Sequence, residues 1–403
     1  VMNSVVTRYW VRPHPDYGLR TALELVAEEA GVGICSLAGA TTLRILPGSD
    51  RIRSYRDRVG ASFEVIDQGT DDDGEWAIVD LAVPEETLLR AGNAMAAWLT
   101  VFAGDIFGLR CIRRATALGT TLAPAVAESL GGPRCGWPGL ARLLGHDRQD
   151  LSGVILKPNL GMSPEEIADL VGRLADCGID FVKDDELNMC PVDGEFEKRI
   201  RLAQEAIGDR PTLYAVNITS PVTSIVDNAH RAVDAGASAV MVNGFIAGLP
   251  VLHELARADI GVPIHVHRAM GDLFLPRSEH GITLPLLSLL ARLAGADLYH
   301  IGTPVGASAP EEIREAFQAL VTPIGGIPHP TVPISTRASV SSRLRTRDAL
   351  GDGPLMHMAC GAIWLPPVGI TSAATAFARA VRGQWGIEES LLADWTEKRV
   401  MTR

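Results

Sequence analysis

The chain has 403 residues, 47% of them apolar and 21% charged, with a net charge of −11. That length allows two domains, or one small domain joined to a large barrel. The acidic balance argues against nucleic acid or an anionic membrane surface as the main partner. The six cysteines (Cys35, Cys111, Cys135, Cys177, Cys190 and Cys360) form no CxxC pair, so their spacing does not suit structural zinc and fits a reducing, cytoplasmic setting. The opening residues VMNSVVTRYWVRPHPDYGL hold no signal-peptide core, and no run of about 18 apolar residues predicts a membrane span.

Residues 1–135 mix element types. TALELVAEEAG (21–31) has helical spacing, ASFEVIDQG and EWAIVDLAVP read as strands joined by TDDDG, PEETLLRAGNAMAAWLTVFAG (84–104) reads as one helix, and IFGLRCIRRATALG returns to strand. Without strict βα alternation, an α+β domain of the ferredoxin-like kind is the simplest arrangement. GGPRCGWPG (131–139) marks a boundary. From there, residues 136–403 become regular. Apolar runs GVILKPNLG, DFVKDDE, TLYAVNIT, AVMVNGF, PIHVHRAM, LYHIGTPVG, TVPIST and LMHMACG are each followed by an amphipathic segment, ending with C-terminal helices. Eight such pairs predict a (β/α)8 TIM barrel. A doubly wound open sheet is the alternative, weakened because no glycine-rich dinucleotide fingerprint follows the first strand.

In a barrel, the polar residues that end the strands face the active site. Here they are Lys157 and Asn159; Lys183, Asp185 and Glu186; Asn217; Asn243; His265, His267 and Arg268; His300 and Thr303; Thr336 and Arg337; and Cys360. Asp185 and Glu186 are hard oxygen ligands of the kind Mg²⁺ takes. Lys183 cannot bind a cation as an ammonium, but a lysine carbamylated by CO2 gains a carboxylate. An ordinary strand-end ion pair accounts for the same residues equally well.

GVILKPNLGMS, then GIDFVKDDE, PIHVHRAM and LYHIGTPVG, in that order and spacing, resemble the ribulose-bisphosphate carboxylase (RuBisCO) large-chain superfamily, and GDIFGLRCIRR resembles the segment that ends that family's N-terminal domain. The resemblance covers most of the chain. It implies an N-terminal α+β domain, a barrel, and a homodimer whose active sites are shared between subunits. It further implies that Lys183 is modified to N6-carboxylysine, that Lys183, Asp185 and Glu186 hold Mg²⁺, that Lys157, Lys183 and His267 are catalytic, and that Arg268 and His300 grip a phosphate. Asp105 matches an asparagine that reaches the partner's site, although a loop or capping acid is the favoured reading of Asp105 from its surroundings. Glu28 and Glu29 compete for a matching glutamate.

The resemblance also fails at particular positions. The pattern KPK is here Lys157-Pro158-Asn159; the last histidine of HIHRAMH is Gly271; the VGK lysine is Ala307; the SGG turn is Thr336-Arg337-Ala338; and GGG is Cys360-Gly361-Ala362. Without the lysine at 307, incoming CO2 lacks its electrostatic clamp, a term of several powers of ten in rate. What survives is an apparatus for enolisation. The expected activity is therefore that of a RuBisCO-like protein: a Mg²⁺-dependent isomerase or enolase on a phosphorylated, sugar-like small molecule, without carboxylation of ribulose bisphosphate. Asn159, Thr336, Arg337 and Gly361 are expected to line the substrate, with Arg337 suited to a carboxylate where a second phosphate would otherwise sit. A decarboxylase or a transcarboxylase/hydrolase of a 3-oxo sugar-acid phosphate is the alternative, and a non-catalytic binding protein the third. His265 is expected to support the site, Asn217 and Asn243 to orient water or satisfy backbone, Cys360 to pack, and His253 and His280 to be structural in helix or loop.

Overall fold

The computed structural model describes residues 3–31, 60–190, 194–277 and 279–399, so Cys35 lies outside the described residues. The chain divides into two compact units, one made of Val1–Leu130 with Gly271–Leu287, the other of Gly131–Met270 with Ser288–Arg403.

The first unit is built on a five-stranded sheet. Its strands are β1 (Ser4–Pro13), β2 (Ser62–Asp71), β3 (Gly74–Pro84), β4 (Ile112–Thr121) and, from far along the chain, β10 (His280–Ile282), in the order β10-β4-β1-β3-β2. All pairings are antiparallel except β10 with β4, which is parallel. In β1, Val5, Thr7, Tyr9 and Val11 are buried, while Arg8 pairs outward with Asp80 at 2.7 Å, the period-two alternation of a half-buried strand. The segment expected as a single helix over 84–104 is two: Glu85–Leu89 and Ala94–Ala103. Gly92 and Asn93 separate them, and the Asn93 side chain caps the second by accepting from Ala96 N–H at 2.8 Å. β1 and β10 go beyond the expected elements. β10 holds His280, which therefore sits in a strand and not in a helix or loop; its Nδ1 accepts from Ala115 N–H at 3.2 Å.

The second unit contains the eight-stranded parallel barrel. Its strands are β5 (Asp150–Ile155), β6 (Phe181–Lys183), β7 (Leu213–Asn217), β8 (Ala239–Asn243), β9 (Ile264–His267), β11 (Leu298–His300), β12 (Val332–Ala338) and β13 (Leu355–Ala359), closed in the order β11-β12-β13-β5-β6-β7-β8-β9. Each expected apolar run overlaps one of them, although β5 begins before its run and β12 ends after its own. The interior is filled by Leu151, Phe181, Leu213, Met241, Leu298, Ile334 and the methionines of β13, with Leu140 and Leu144 packed on the same cluster. Gly153 makes room for those methionines: a Cβ there would stand 2.7 Å from the Met358 methyl. The helices between strands carry clear signals. Pro164–Asp176 begins with a full capping box of Ser163 and Glu166. Among the described residues, no helix is long and apolar enough to cross a membrane.

Candidate active site

The C-terminal ends of β5, β6, β9 and β11 bring the site together. Two residues past β5, the Lys157 ammonium donates to Asp185 Oδ2 at 2.5 Å and to Asn159 Oδ1 at 2.6 Å. Partial burial opposes its charge, but the Asp185 carboxylate outweighs that and lifts the Lys157 pKa above the usual lysine value. Lys183, the last residue of β6, is fully buried. It donates to the carbonyl oxygen of Asp184 at 2.7 Å and lies 3.7 Å from Glu186 Oε2. Burial pushes its pKa below the usual lysine value despite the acids around it. The two lysines are thus poised oppositely: one held as an ammonium, the other driven toward the neutral amine, which is the form that adds CO2.

Three adjacent acids divide their work. Asp185 is buried and faces Lys157; Glu186 is about one-third exposed, with His267 Nε2 3.6 Å from its Oε2. Asp184 is turned the other way, fully buried, its carboxylate accepting from the Tyr214 hydroxyl at 2.6 Å and from Asn217 N–H at 3.0 Å. The sequence reading left Asp184 out of the mouth without giving it a role, and it did not single out Tyr214. The signal was the alternation of a strand: with Lys183 and Asp185 facing inward, Asp184 must face outward.

Three histidines stack at β9 and β11. His265 and His300 meet Nε2 to Nε2 at 2.7 Å, both buried, and the His267 ring stands edge-on to His300 with centroids 4.6 Å apart. Ala269 N–H donates to His267 Nδ1 at 3.1 Å, which leaves the hydrogen on Nε2, toward Glu186. Burial, then the charge of Lys183, pushes the His267 pKa down to about 3. His265 and His300 are lowered for the same first reason, burial. Arg268 reaches past β9 to the carbonyl oxygen of Ile301, the neighbour of His300, at 3.4 Å.

On the other side, a cavity of about 460 Å³ opens over β12, β13 and β5, lined in part by Thr303, Thr336, Arg337, Ser342, Cys360 and Gly361. Arg337 is exposed and has no partner among the described residues. Its φ is +55°, a left-handed conformation that favours glycine, within a register shift between Ser335 and Ala338. The backbone therefore keeps the shape a glycine would have and hangs a guanidinium on it. Burial raises the Cys360 thiol pKa above its ordinary value, away from a nucleophile's need. Asn217 and Asn243 settle on the backbone reading: Asn217 Nδ2 lies 3.2 Å from the carbonyl oxygens of both Asp185 and Glu186, and Asn243 Nδ2 donates to that of Glu186 at 3.0 Å.

Residues 138–322 match the family model for the ribulose bisphosphate carboxylase large chain, catalytic domain. A ribulose bisphosphate carboxylase of Pyrococcus horikoshii is 32% identical over 259 residues, 62% of this chain and 60% of the relative's own length. The chain belongs to the RuBisCO large-chain superfamily. In fold, it superposes on a dimeric archaeal Rubisco from Hyperthermus butylicus with a TM-score of 0.84 at 24% identity, covering 99% of this chain and 96% of that one. A rubisco-like protein (MtnW) from Alicyclobacillus acidocaldarius superposes with a TM-score of 0.79 at 26% identity, covering 95% and 94%. The superfamily thus includes neighbours of both kinds, and the RuBisCO fold explains why Lys157, Lys183, Asp185, Glu186, His267 and His300 share one end of the barrel. Asp105 lies in the first unit, exposed, ahead of a short turn of helix (Ile106–Gly108) that its side chain does not cap. Glu28 and Glu29 are half-buried on the helix Leu19–Gly31.

Proposed function

We propose that this chain is a RuBisCO-like enzyme that enolises a phosphorylated, sugar-like substrate with Mg²⁺ and does not carboxylate ribulose bisphosphate. The observation that carries the reading is the unequal pair of lysines: Lys157 charged on Asp185, Lys183 buried and short of partners, with no third lysine at the mouth among the described residues. Position 307 in the loop after β11 is alanine and position 159 asparagine. The curated relative is named a carboxylase; the departure proposed here rests on those two residues.

The donor set fits a magnesium ion. Asp185 and Glu186 supply two hard oxygens, and Lys183, once CO2 has added, would supply a third. Among the described residues, no three His, Cys, Asp or Glu side chains gather as a metal site, so on this reading the lysine is indispensable. Asn243 Oδ1, buried without a partner, adds an unfilled acceptor beside Glu186. A cation held there would polarise a substrate carbonyl. The chain's own residues do the rest. Lys157 holds a proton at Nζ, steadied by Asp185 and Asn159, where a reacting oxygen or carbon can receive it. His267 presents Nε2–H to the same space. Arg268 offers a planar fork to a phosphate, and His300 has only Nδ1 to add, since Nε2 is committed to His265.

One observation favours a second reading, the decarboxylation of a 3-oxo acid phosphate. The unpartnered Arg337 guanidinium stands in a cavity whose lining contains no acid, a setting suited to a substrate carboxylate. For partners, six of the segments that follow barrel strands expose a large apolar residue: Leu160, Leu187, Val222, Ile246, Met270 and Leu365. Such a rim is what an associating surface offers, and a second copy of the chain is the partner proposed, with Asp105, exposed and without a side-chain partner among the described residues, serving the neighbour's site.

The test is exchange of a carbon-bound proton for deuterium in phosphorylated ketoses and 3-oxo acid phosphates, with Mg²⁺ and bicarbonate. Exchange is expected, with no labelled bicarbonate fixed into ribulose 1,5-bisphosphate. Release of CO2 selects the second reading; sustained fixation of label overturns the first. Absence of any exchange across both substrate classes leaves the binding protein.

A further inference from the structure

We propose that Asp184, clamped from behind by Tyr214 and Arg199, is the positioning residue that sets the plane of a carbamate on Lys183 through its own main-chain carbonyl. The inference rests on the carbamate reading above and deepens it.

A neutral lysine has two N–H bonds and a lone pair. On addition of CO2 the lone pair forms the N–C bond, one C–O π pair moves onto oxygen, and one proton leaves to solvent, so a single N–H remains. The product is planar by the same N–C resonance that flattens a peptide. Its two oxygens are therefore aimed by wherever that N–H points. Among the described residues, the acceptor within hydrogen-bond distance of Lys183 Nζ is Asp184 O, at 2.7 Å; Glu186 Oε2, at 3.7 Å, is out of range.

What fixes Asp184 O is the rest of Asp184. Its N–H donates to Ala215 O on β7 at 3.0 Å. Its carboxylate takes the Tyr214 hydroxyl at 2.6 Å and Asn217 N–H at 3.0 Å, and a guanidinium nitrogen of Arg199, on the helix Glu195–Ile207, lies 3.2 Å from Oδ2 as an ion pair without hydrogen-bond alignment. Asp184 and Tyr214 are fully buried, Arg199 and Asn217 nearly or fully so. An apolar residue would fill this outward position with less desolvation cost. What a paired carboxylate adds is direction: the residue that carries the acceptor is pinned at its N–H and at both side-chain oxygens. Asp184 thus never touches metal or substrate and acts through Lys183.

The experiment reads the carbamate itself. The whole protein is equilibrated with ¹³C-labelled bicarbonate, without metal, and its carbamate signal is followed by NMR as CO2 is raised. In Tyr214→Phe and in Asp184→Asn, the CO2 needed for half-modification should rise about 10-fold, the scale of one hydrogen bond to a charged group. Thermal unfolding is recorded alongside. Tyr299→Phe, at another fully buried barrel tyrosine, should leave the CO2 requirement unchanged. Two outcomes overturn the inference alone: folded Tyr214→Phe and Asp184→Asn proteins that take up CO2 as the parent does, or a Tyr299→Phe protein impaired equally. A parent protein with no carbamate signal at any CO2 level instead removes the carbamate reading, and this inference with it.

Discussion

At the N-terminal ends of the barrel strands, Asp150 is met by Arg347 at 2.6 Å, His357 at 2.7 Å and Arg343 at 3.0 Å. Nearby in sequence, Asp180 takes Arg148 at 2.6 Å and both N–H and hydroxyl of Ser152 at 2.8 Å, and Asp297 takes three backbone N–H groups. At the C-terminal ends, the fully buried Lys183 side chain has a single hydrogen bond among the described residues, and the Arg337 side chain has none. Both ends carry buried or crowded charge. One end satisfies it with protein; the other leaves capacity for something that is not protein. That is the division expected of a barrel, with stability at the floor and chemistry at the mouth, and here it can be read from partners alone.

The sharpest way to test that contrast is to remove one charge from each end. Lys183→Ala should lower Mg²⁺-dependent proton exchange by about 10³-fold or more, the scale of losing a metal's electrostatic contribution, with thermal unfolding little changed. Full exchange by this variant in CO2-free buffer would end the carbamate role. Asp150→Ala should do the reverse, costing about 3 kcal/mol in denaturant unfolding because two arginines and a histidine lose their carboxylate, while exchange at 25 °C persists. The same group fixes a pH dependence. Despite burial, His357 and then Arg347 hold the Asp150 carboxyl below the usual range. A depressed folded-state pKa means the unfolded chain binds the proton first, so this stability is complete above about pH 4 and is lost as pH falls further. Asp150→Asn should flatten that acid limb.

Smaller effects sharpen the mouth. Arg268→Ala should raise the Michaelis constant for phosphorylated substrates about 10- to 100-fold, the scale of a charge-assisted hydrogen bond. Arg337→Gly should weaken acid substrates more than neutral ones, yet stabilise the fold by about 0.5–1 kcal/mol as the left-handed strain is relieved against glycine's extra chain entropy. Equal loss on acid and neutral substrates would remove the carboxylate role of Arg337.

The barrel was legible because each strand is a short apolar run that ends in polar residues and precedes an amphipathic helix. The mouth residues were legible for the same reason. What escaped was whatever depends on facing. Asp184 sits in the most conspicuous stretch of the chain, yet its direction follows from strand alternation and not from its charge. The floor clusters escaped because their members come from distant segments: Asp150 meets residues some 200 positions later. β10 escaped because three residues carry no periodicity, and the break at Gly92–Asn93 because helical propensity runs on both sides of it.

That short β10 has a further consequence. The segment 271–287 leaves the barrel unit's chain after β9, lays His280–Ile282 beside β4 as an edge strand, and returns at 288. As the chain leaves the ribosome, the first unit's sheet is therefore still one strand short after residue 130 and stays so until about residue 282. Through the synthesis of β5 to β9, the open side of β4 exposes unpaired N–H and C=O groups, the kind of edge that recruits stray strands. A fragment ending near residue 130 carries that edge permanently. The N-terminal unit is first in the sequence, yet its sheet is not complete until five of the eight barrel strands have been made.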